Sequence, residues 1–262
     1  MRRESAGFTR AAVPLFVLLL LTACFEIEQD IVVDRNLSGT ADLEIGVDFE
    51  PMIVIMAQMG RQMEGKEGPP SDAELDKLRT DFKEKSASEK SEPPNLAEMN
   101  KEMPKGVRVL AADAKADGLR FVSNFRFEFD RLSNLVEMKL PSKEETDPTK
   151  KNVIDSPFQG LVVTEKGDII TIRSKPQNPA DKVEEQAAGE GPPPDPEMVK
   201  MMEDAFKNLR FAFRITAPFE IVSHNATRQD GKTLIWEYDL KRFEEMAKAG
   251  GEELEIQVSY RR

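Results

Sequence analysis

Apolar and polar residues alternate with a period of two at many places along this 262-residue chain, and this alternation restricts its fold more than any other feature. Ala41, Leu43, Ile45, Val47 and Phe49 fall on one side of a strand whose other side is acidic. Similar patterns predict strands at 25–33, 107–111, 121–129, 161–164, 169–172, 211–215, 219–222, 234–238 and 254–258. Most of the links are short enough for antiparallel pairing.

Helical patterns lie between these strands. The methionines of 51–63 recur at spacings of four, three and four residues, which places them on one face of a helix. Ser71-Asp72-Ala73-Glu74 is a capping box that predicts a second helix to about Lys85. Asp195-Pro196 and Asp239 are typical helix starts and predict helices to about 209 and 249. We therefore predict an α+β fold, with a curved and mostly antiparallel sheet packed against a few helices.

Two stretches of the chain contain charged segments with repeated prolines, at 64–72 and 84–95 and again at 175–196. Such segments bury too little apolar surface to offset the entropy that they lose on ordering. The strand patterns on either side need one another to complete a sheet. We therefore predict a single domain over 24–262, with flexible insertions near 64–105 and 175–196.

Residues 1–23 have the three parts of an export signal. Three arginines form a basic start, and the apolar stretch that follows is shorter than the ~20 residues needed to span a bilayer. The stretch ends in Leu21-Thr22-Ala23-Cys24, which resembles the lipobox of bacterial lipoproteins. The resemblance implies that residues 1–23 are removed and that Cys24 receives a diacylglyceryl group, labelled by palmitate. The alternative is a secretion signal with an incidental cysteine, which is disfavoured because Cys24 is the only cysteine.

The predicted anchor and the charge define the expected surroundings. A chain held by two or more acyl chains stays on its membrane, so we expect the domain to face outside the cytoplasm. Residue 25 is phenylalanine and not the aspartate that commonly retains lipoproteins at an inner membrane, which favours the outer membrane where there is one. The net charge of −11 argues against a nucleic-acid partner. With Cys24 lipidated no disulfide is available, so a hydrophobic core must hold the domain.

Residue patterns that support catalysis are scarce. His224 is the only histidine, which argues against a histidine-rich metal site, and it fits a strand or turn position better than a metal ligand. The sequence contains no GxSxG, Walker-type or GxGxxG motif. Carboxylate pairs are frequent by chance in so acidic a chain and neither support nor exclude a hydrolase. We expect a protein without enzymatic activity, catalytic residues, metal or cofactor.

The methionine stripes are the candidate ligand-binding residues. Methionine is flexible and polarizable and suits surfaces that accept variable apolar groups. Met52, Met56 and Met59 on the first helix, with Met202 on the helix after 196, are predicted to line a pocket for acyl chains. The alternative is that both stripes simply cover the sheet as part of the core.

The segment 214–238 contains the pattern Pro-x-x-Ile-Val-x-x-Asn-Ala, then Asp-Gly, then Trp236. This pattern, and Leu37-Ser38-Gly39-Thr40-Ala41 soon after Cys24, resemble segments of LppM-like bacterial lipoproteins. The resemblance implies a helix-grip-like α+β domain that binds lipid or glycolipid at the cell envelope. A second hypothesis is an envelope scaffold with a solid core that binds another protein through its acidic loops, and a third is a hydrolase that acts through carboxylates.

Overall fold

The computed structural model describes residues 24–66, 68–88, 94–138, 161–174, 208–242, 245 and 255–262. The predicted signal peptide, the predicted insertion at 175–196 and Met202 lie outside these residues, and so does most of the helix predicted after 196. The single-domain prediction, with its insertions, stays a prediction.

Eleven strands lie in the described residues, and they form two sheets. The first sheet has the order β3-β4-β2-β1-β7-β10-β9 and the second the order β5-β6-β11-β8. The strands are β1 (Cys24–Val33), β2 (Gly39–Asp48), β3 (Val107–Asp117), β4 (Arg120–Phe129), β5 (Leu161–Lys166), β6 (Ile169–Ser174), β7 (Arg210–Thr216), β8 (Glu220–His224), β9 (Arg228–Asp230), β10 (Thr233–Asp239) and β11 (Gln257–Arg261).

The predicted α+β class is confirmed, with two differences in detail. The strands divide between two sheets and do not form one curved sheet. In addition, β1 and β7 pair in parallel, with Ile31 opposite Ile215, while every other pairing between the described strands is antiparallel. A parallel pair needs a long connection between its strands, and these two are far apart in the chain. Alternation within each strand could not reveal which distant strand would be its neighbour.

The core lies between the two sheets. Five fully buried side chains from neighbouring strands form one row on the inner face of the larger sheet: Phe127, Ala41, Ile31, Ile215 and Leu234. The smaller sheet adds further buried side chains to the same hydrophobic cluster, among them Ile170, Ile172, Val258 and Tyr260. Of the residues predicted on the inward side of β2, Ala41 and Leu43 are buried, whereas Ile45 and Val47 are half-buried. On β4, Phe127 and Phe129 are buried.

Three α-helices and a 3₁₀ helix are described over their whole length: α1 (Glu50–Met63), α2 (Asp72–Ser88), α3 (Leu96–Glu102) and the 3₁₀ helix Leu132–Glu137. The first residues of a further helix follow Asp239. The predicted capping box is present at the start of α2. The Ser71 backbone N–H and hydroxyl both donate to Glu74 Oε2 at 2.8 Å, and these bonds lower the pKa of Glu74 to about 2. The cap predicted at Asp239 is also present, because its Oδ1 accepts from the Arg242 N–H at 2.8 Å.

The two helices α1 and α2 form a hairpin at the end of the sheet where β1 begins. Arg61 of α1 pairs with Glu74 of α2 at 3.0 Å, and Arg79 pairs with Glu50 at the other end of the hairpin. A cluster of Phe49, Phe82 and Phe121 joins the hairpin to β4. Both α2 and α3 lie within the region 64–105, and α3 contributes Met99 to the core.

Candidate functional site

The outer face of the larger sheet, which points away from the second sheet, carries charges of both signs on neighbouring strands. Residues that alternate with the buried row supply these charges, so the same period-two pattern that builds the core also builds this face. The residues are Asp113 and Lys115 of β3, Arg120 and Arg126 of β4, Asp42 and Glu44 of β2, Glu26, Glu28 and Asp30 of β1, Arg210 and Arg214 of β7, and Glu237 of β10.

These charges are joined into a network that crosses five strands. Arg210 contacts Glu28 at 2.8 Å, Glu26 at 3.5 Å and Glu237 at 3.4 Å. Arg120 of β4 contacts Glu26 at 2.8 Å although β2 lies between them. Gly46 of β2 lies opposite Glu26 of β1 and has no side chain. A Cβ atom on Gly46 would lie 3.4 Å from Glu26 Cβ and 3.8 Å from Arg120 Nη2, which is ordinary van der Waals contact, so alanine would fit there as well.

A groove of about 1310 Å³ lies at one end of this network. Its lining includes Glu26, Asp48, Arg120, Arg210, Tyr238 and Arg242. It occupies the end of the sheet where β1 and β7 begin and where β2 and β10 end. Carboxylates, guanidinium groups and amides converge there with one aromatic ring, so the groove offers both donors and acceptors to a polar ligand.

A second groove of about 420 Å³ lies further along the same face. Its lining includes Glu28, Asp30, Asp42, Arg126 and Arg214. Burial raises the pKa of Asp30, the Arg214 guanidinium opposes this shift, and the charges of Asp42 and Glu28 add to it. Arg214 donates to Glu28 at 2.8 Å, and the hydrogen bond to that carboxylate raises the pKa of its guanidinium. This groove also favours polar ligands over apolar ones.

The predicted lipidation site is next to the first groove. Cys24 is the first residue of β1 and pairs with Asp48, the last residue of β2. Glu26, which lines the groove, follows two residues later on the same strand. A strand rises ~3.3 Å per residue, so the groove begins within about 7 Å of the residue expected to carry the lipid. No linker separates Cys24 from the folded sheet.

The predicted ligand-binding methionines of α1 do not line either groove. Met52 and Met59 are half-buried, Met59 packs on Ile55, and Met56 is 39% exposed. The buried residues of α1 are instead Ile53, Ile55, Ala57 and Gln58. The shared face predicted for the methionines exists, but it is the more exposed face of the helix. The acyl-chain pocket stays a prediction, and Met202 lies outside the described residues.

The segment that resembles LppM-like proteins has a structural role in this fold. The indole N–H of Trp236 donates to Asn225 Oδ1 at 2.8 Å, and the same oxygen accepts from the Gln257 N–H at 2.8 Å. The Asn225 amide donates to the Glu255 carbonyl at 2.8 Å. Asn225 therefore ties β10 of the larger sheet to β11 of the smaller one. The asparagine and the tryptophan of the pattern thus hold the two sheets together.

The single histidine occupies a turn. His224 ends β8 and is exposed, and its Nδ1 accepts from the Ala226 N–H at 3.1 Å. Within the described part of the chain, no group of three or more histidine, cysteine, aspartate or glutamate residues is arranged to hold a metal ion. Of the helices that the structure describes, none is long and apolar enough to cross a membrane.

Comparison with solved structures finds chains that align with this one. No protein-family model matches the sequence, and no curated protein matches it. The folded domain of LppM from Mycobacterium tuberculosis, solved by NMR, aligns with 99% of this chain and 95% of its own length, with a TM-score of 0.43 and 10% sequence identity. At this level of similarity, the function has to be argued from the residues of the chain itself.

Sequence reasoning did not single out the residues of the two grooves. Glu26, Arg120 and Arg210 meet only because β1 is placed between β2 and β7, and Arg210 lies 184 residues after Glu26 in the chain. The one signal in the sequence was the repeated charge on the outward side of each strand, which is equally typical of an ordinary solvated face.

Proposed function

We propose that the protein is a lipid-anchored envelope lipoprotein without enzymatic activity, and that its first groove holds the polar headgroup of a glycolipid. The observation that carries this proposal is the position of the groove. A polar groove of about 1310 Å³ opens beside the residue expected to be lipidated. An anchor without a linker keeps that end of the sheet close to the bilayer surface.

The lining of the groove supports a headgroup more than an acyl chain. Sugar hydroxyls both donate and accept hydrogen bonds, and carboxylates, guanidinium groups and amides satisfy them in both directions. An acyl chain in the same groove would desolvate these charged groups without replacing their hydrogen bonds, which is costly. A ligand bound there keeps its acyl chains in the bilayer. This differs from a pocket that encloses the chains between the sheet and the methionines.

The second candidate is an envelope scaffold that binds a partner protein through the same charged face. The packed inter-sheet core favours it, because large side chains such as Trp236, Tyr260, Phe127 and Phe129 fill the space between the sheets and are fully buried. In this case, the outer face would recognise a partner of alternating charge. The two candidates differ in whether the groove binds an isolated sugar headgroup.

The anchor is tested by replacing Cys24 with serine. We expect Cys24→Ser to abolish metabolic labelling by palmitate and to leave the protein uncleaved or released from the membrane. Normal labelling of the variant would refute lipidation at Cys24.

Vesicle binding tests the groove. The mature chain carries Cys24→Ser to keep it soluble, and its binding to vesicles of phosphatidylcholine is compared with and without diglucosyl diacylglycerol. We expect Arg210→Ala to weaken binding to the glycolipid vesicles strongly, because Arg210 lies at the centre of the network. Arg126→Ala is the matched control, since Arg126 lies on the same face but outside the first groove. Equal loss in both variants would indicate that binding does not depend on the first groove, and no binding by the parent would favour the scaffold.

A further inference from the structure

The edge strand β3 of the larger sheet is covered along only part of its length. At its beginning, the side chain of Asn100 from α3 imitates a neighbouring strand: its Oδ1 accepts from the Val109 N–H at 2.8 Å, and its Nδ2 donates to the Val109 carbonyl at 3.1 Å. Beyond the irregularity between Val109 and Ala111, residues 111–117 are exposed except for the half-buried Ala112. An uncovered edge of this length is a site for pairing with another strand.

The pairing pattern shows which backbone groups face the open edge. The two residues Gly118 and Leu119 connect β3 to β4, and the closing pair of such a hairpin, Asp117 with Arg120, exchanges backbone hydrogen bonds. Counting back in steps of two, Asp113 and Lys115 also bond to β4. The intervening residues Ala112, Ala114 and Ala116 therefore direct their N–H and C=O groups outward. Among the described residues, no backbone partner on that side is found for these three alanines.

The sequence of this edge is complementary to itself. When two antiparallel copies place Ala114 opposite Ala114, Ala112 falls opposite Ala116, and all three outward-facing alanines meet as hydrogen-bonded pairs. In the same register, Asp113 falls opposite Lys115 in both directions. Within one chain these two side chains contact each other at 3.5 Å and stay largely exposed. A register shifted by one residue would place the outward-facing residues of one copy opposite residues whose backbone groups bond to β4, and the pairing of opposite charges would be lost.

We propose that β3 pairs with β3 of a second copy of this chain, with Ala114 on the two-fold axis, to form a continuous sheet across a dimer. Small alanine side chains on the inner side and complementary charges on the outer side allow the two edges to approach. Asn100 and the irregularity after Val109 confine the pairing to residues 111–117. The partner is thus a second copy and not an unrelated strand.

The symmetry has a consequence for the anchor. The two-fold axis of an antiparallel pair runs perpendicular to the sheet, so the two Cys24 residues lie on opposite sides of it. They reach one bilayer when the sheet lies along the bilayer surface, an orientation compatible with grooves that face the headgroups. This orientation rests on the proposed anchoring, whereas the pairing of the two edges does not.

Cross-linking in membranes tests the register. In the full chain, Ala114→Cys adds one cysteine at the axis, where opposing Cα atoms are ~5.5 Å apart, within the range for a disulfide. We expect a dimer on oxidation with copper phenanthroline, and none from the parent. Ala116→Cys is the matched control, because its copies lie ~14 Å apart along the strands. It is expected to cross-link only to a co-expressed Ala112→Cys chain.

The parent chain also separates this test from the proposed function. If Cys24 is not lipidated, its free thiol is revealed by cross-linking or thiol labelling of the parent, whatever the β3 variants do. Failure of Ala114→Cys to cross-link, or equal cross-linking of Ala116→Cys with itself, would overturn the pairing.

Sedimentation of the mature Cys24→Ser chain tests the charges. Asp113→Lys places lysine opposite Lys115 twice, and we expect association to weaken about tenfold. The double exchange Asp113→Lys with Lys115→Asp restores opposite charges and should restore association. Ala114→Pro removes an outward N–H without touching the bonds to β4 and should give a folded monomer. A parent that sediments as a monomer, or a double exchange that stays as weak as Asp113→Lys, contradicts the proposal.

Discussion

Replacing Asn225 with alanine removes the side chain that joins the two sheets. Its oxygen accepts from Trp236 Nε1 at 2.8 Å, and Trp236 is fully buried, so its indole N–H would lose its partner. An unsatisfied buried donor costs ~1–3 kcal/mol. The bonds to Gln257 and Glu255 add less, because Asn225 is exposed and water can replace them. We expect a loss of about 2 kcal/mol, or ~4–8 °C in Tm for a chain of this size.

Thermal unfolding followed by circular dichroism measures this effect. Asn208→Ala, at an exposed asparagine just before β7, is the control and should change stability by less than ~0.5 kcal/mol. A double-mutant cycle with Trp236→Phe isolates the bond itself, and we expect a coupling of about 1 kcal/mol. A Tm for Asn225→Ala equal to that of the parent, or a coupling near zero, would refute the reasoning.

Three further changes test other parts of the fold. Gly39→Ala should destabilise strongly or prevent folding, because its Cβ would lie 1.9 Å from the Val32 carbonyl oxygen. Gly60→Ala should stabilise α1 by ~0.5–1 kcal/mol, because no atom lies within 4 Å of the added Cβ. Urea unfolding measures the stability of both variants. Folding raises the pKa of the Asp30 carboxyl above 3.8, so protonation of this group stabilises the folded state at low pH. This contribution is lost as pH rises through the pKa of the folded state. Asp30→Asn should therefore melt above the parent at neutral pH, with a difference that shrinks towards pH 3.8, and a difference independent of pH contradicts this. Met56→Trp should cost little stability because Met56 is exposed, and weaker binding of a fluorescent fatty acid would support the acyl-chain pocket.

The period-two pattern was sufficient to predict the α+β class and the inward side chains of single strands. Ala41 and Leu43 of β2 and Phe127 and Phe129 of β4 are buried as their alternation predicts. Local capping chemistry was equally informative, because Ser71 and Glu74 lie only three residues apart and their bonds do not depend on the rest of the fold. These features are local, so the sequence determines them without knowledge of distant segments.

The neighbours of each strand were decided only by the tertiary structure. Whether β1 lies beside β7, and in which direction, depends on side chains that are far apart in the chain and on the packing of the second sheet. The methionine stripe of α1 shows the same limit, since its spacing places the residues on one face but does not say whether that face is buried. The charged grooves are the clearest case. Arg120 of β4 reaches Glu26 of β1 across the intervening strand β2, and Arg210 of β7 reaches the same carboxylate from the other side. Three residues so far apart in sequence meet only when the sheet has formed.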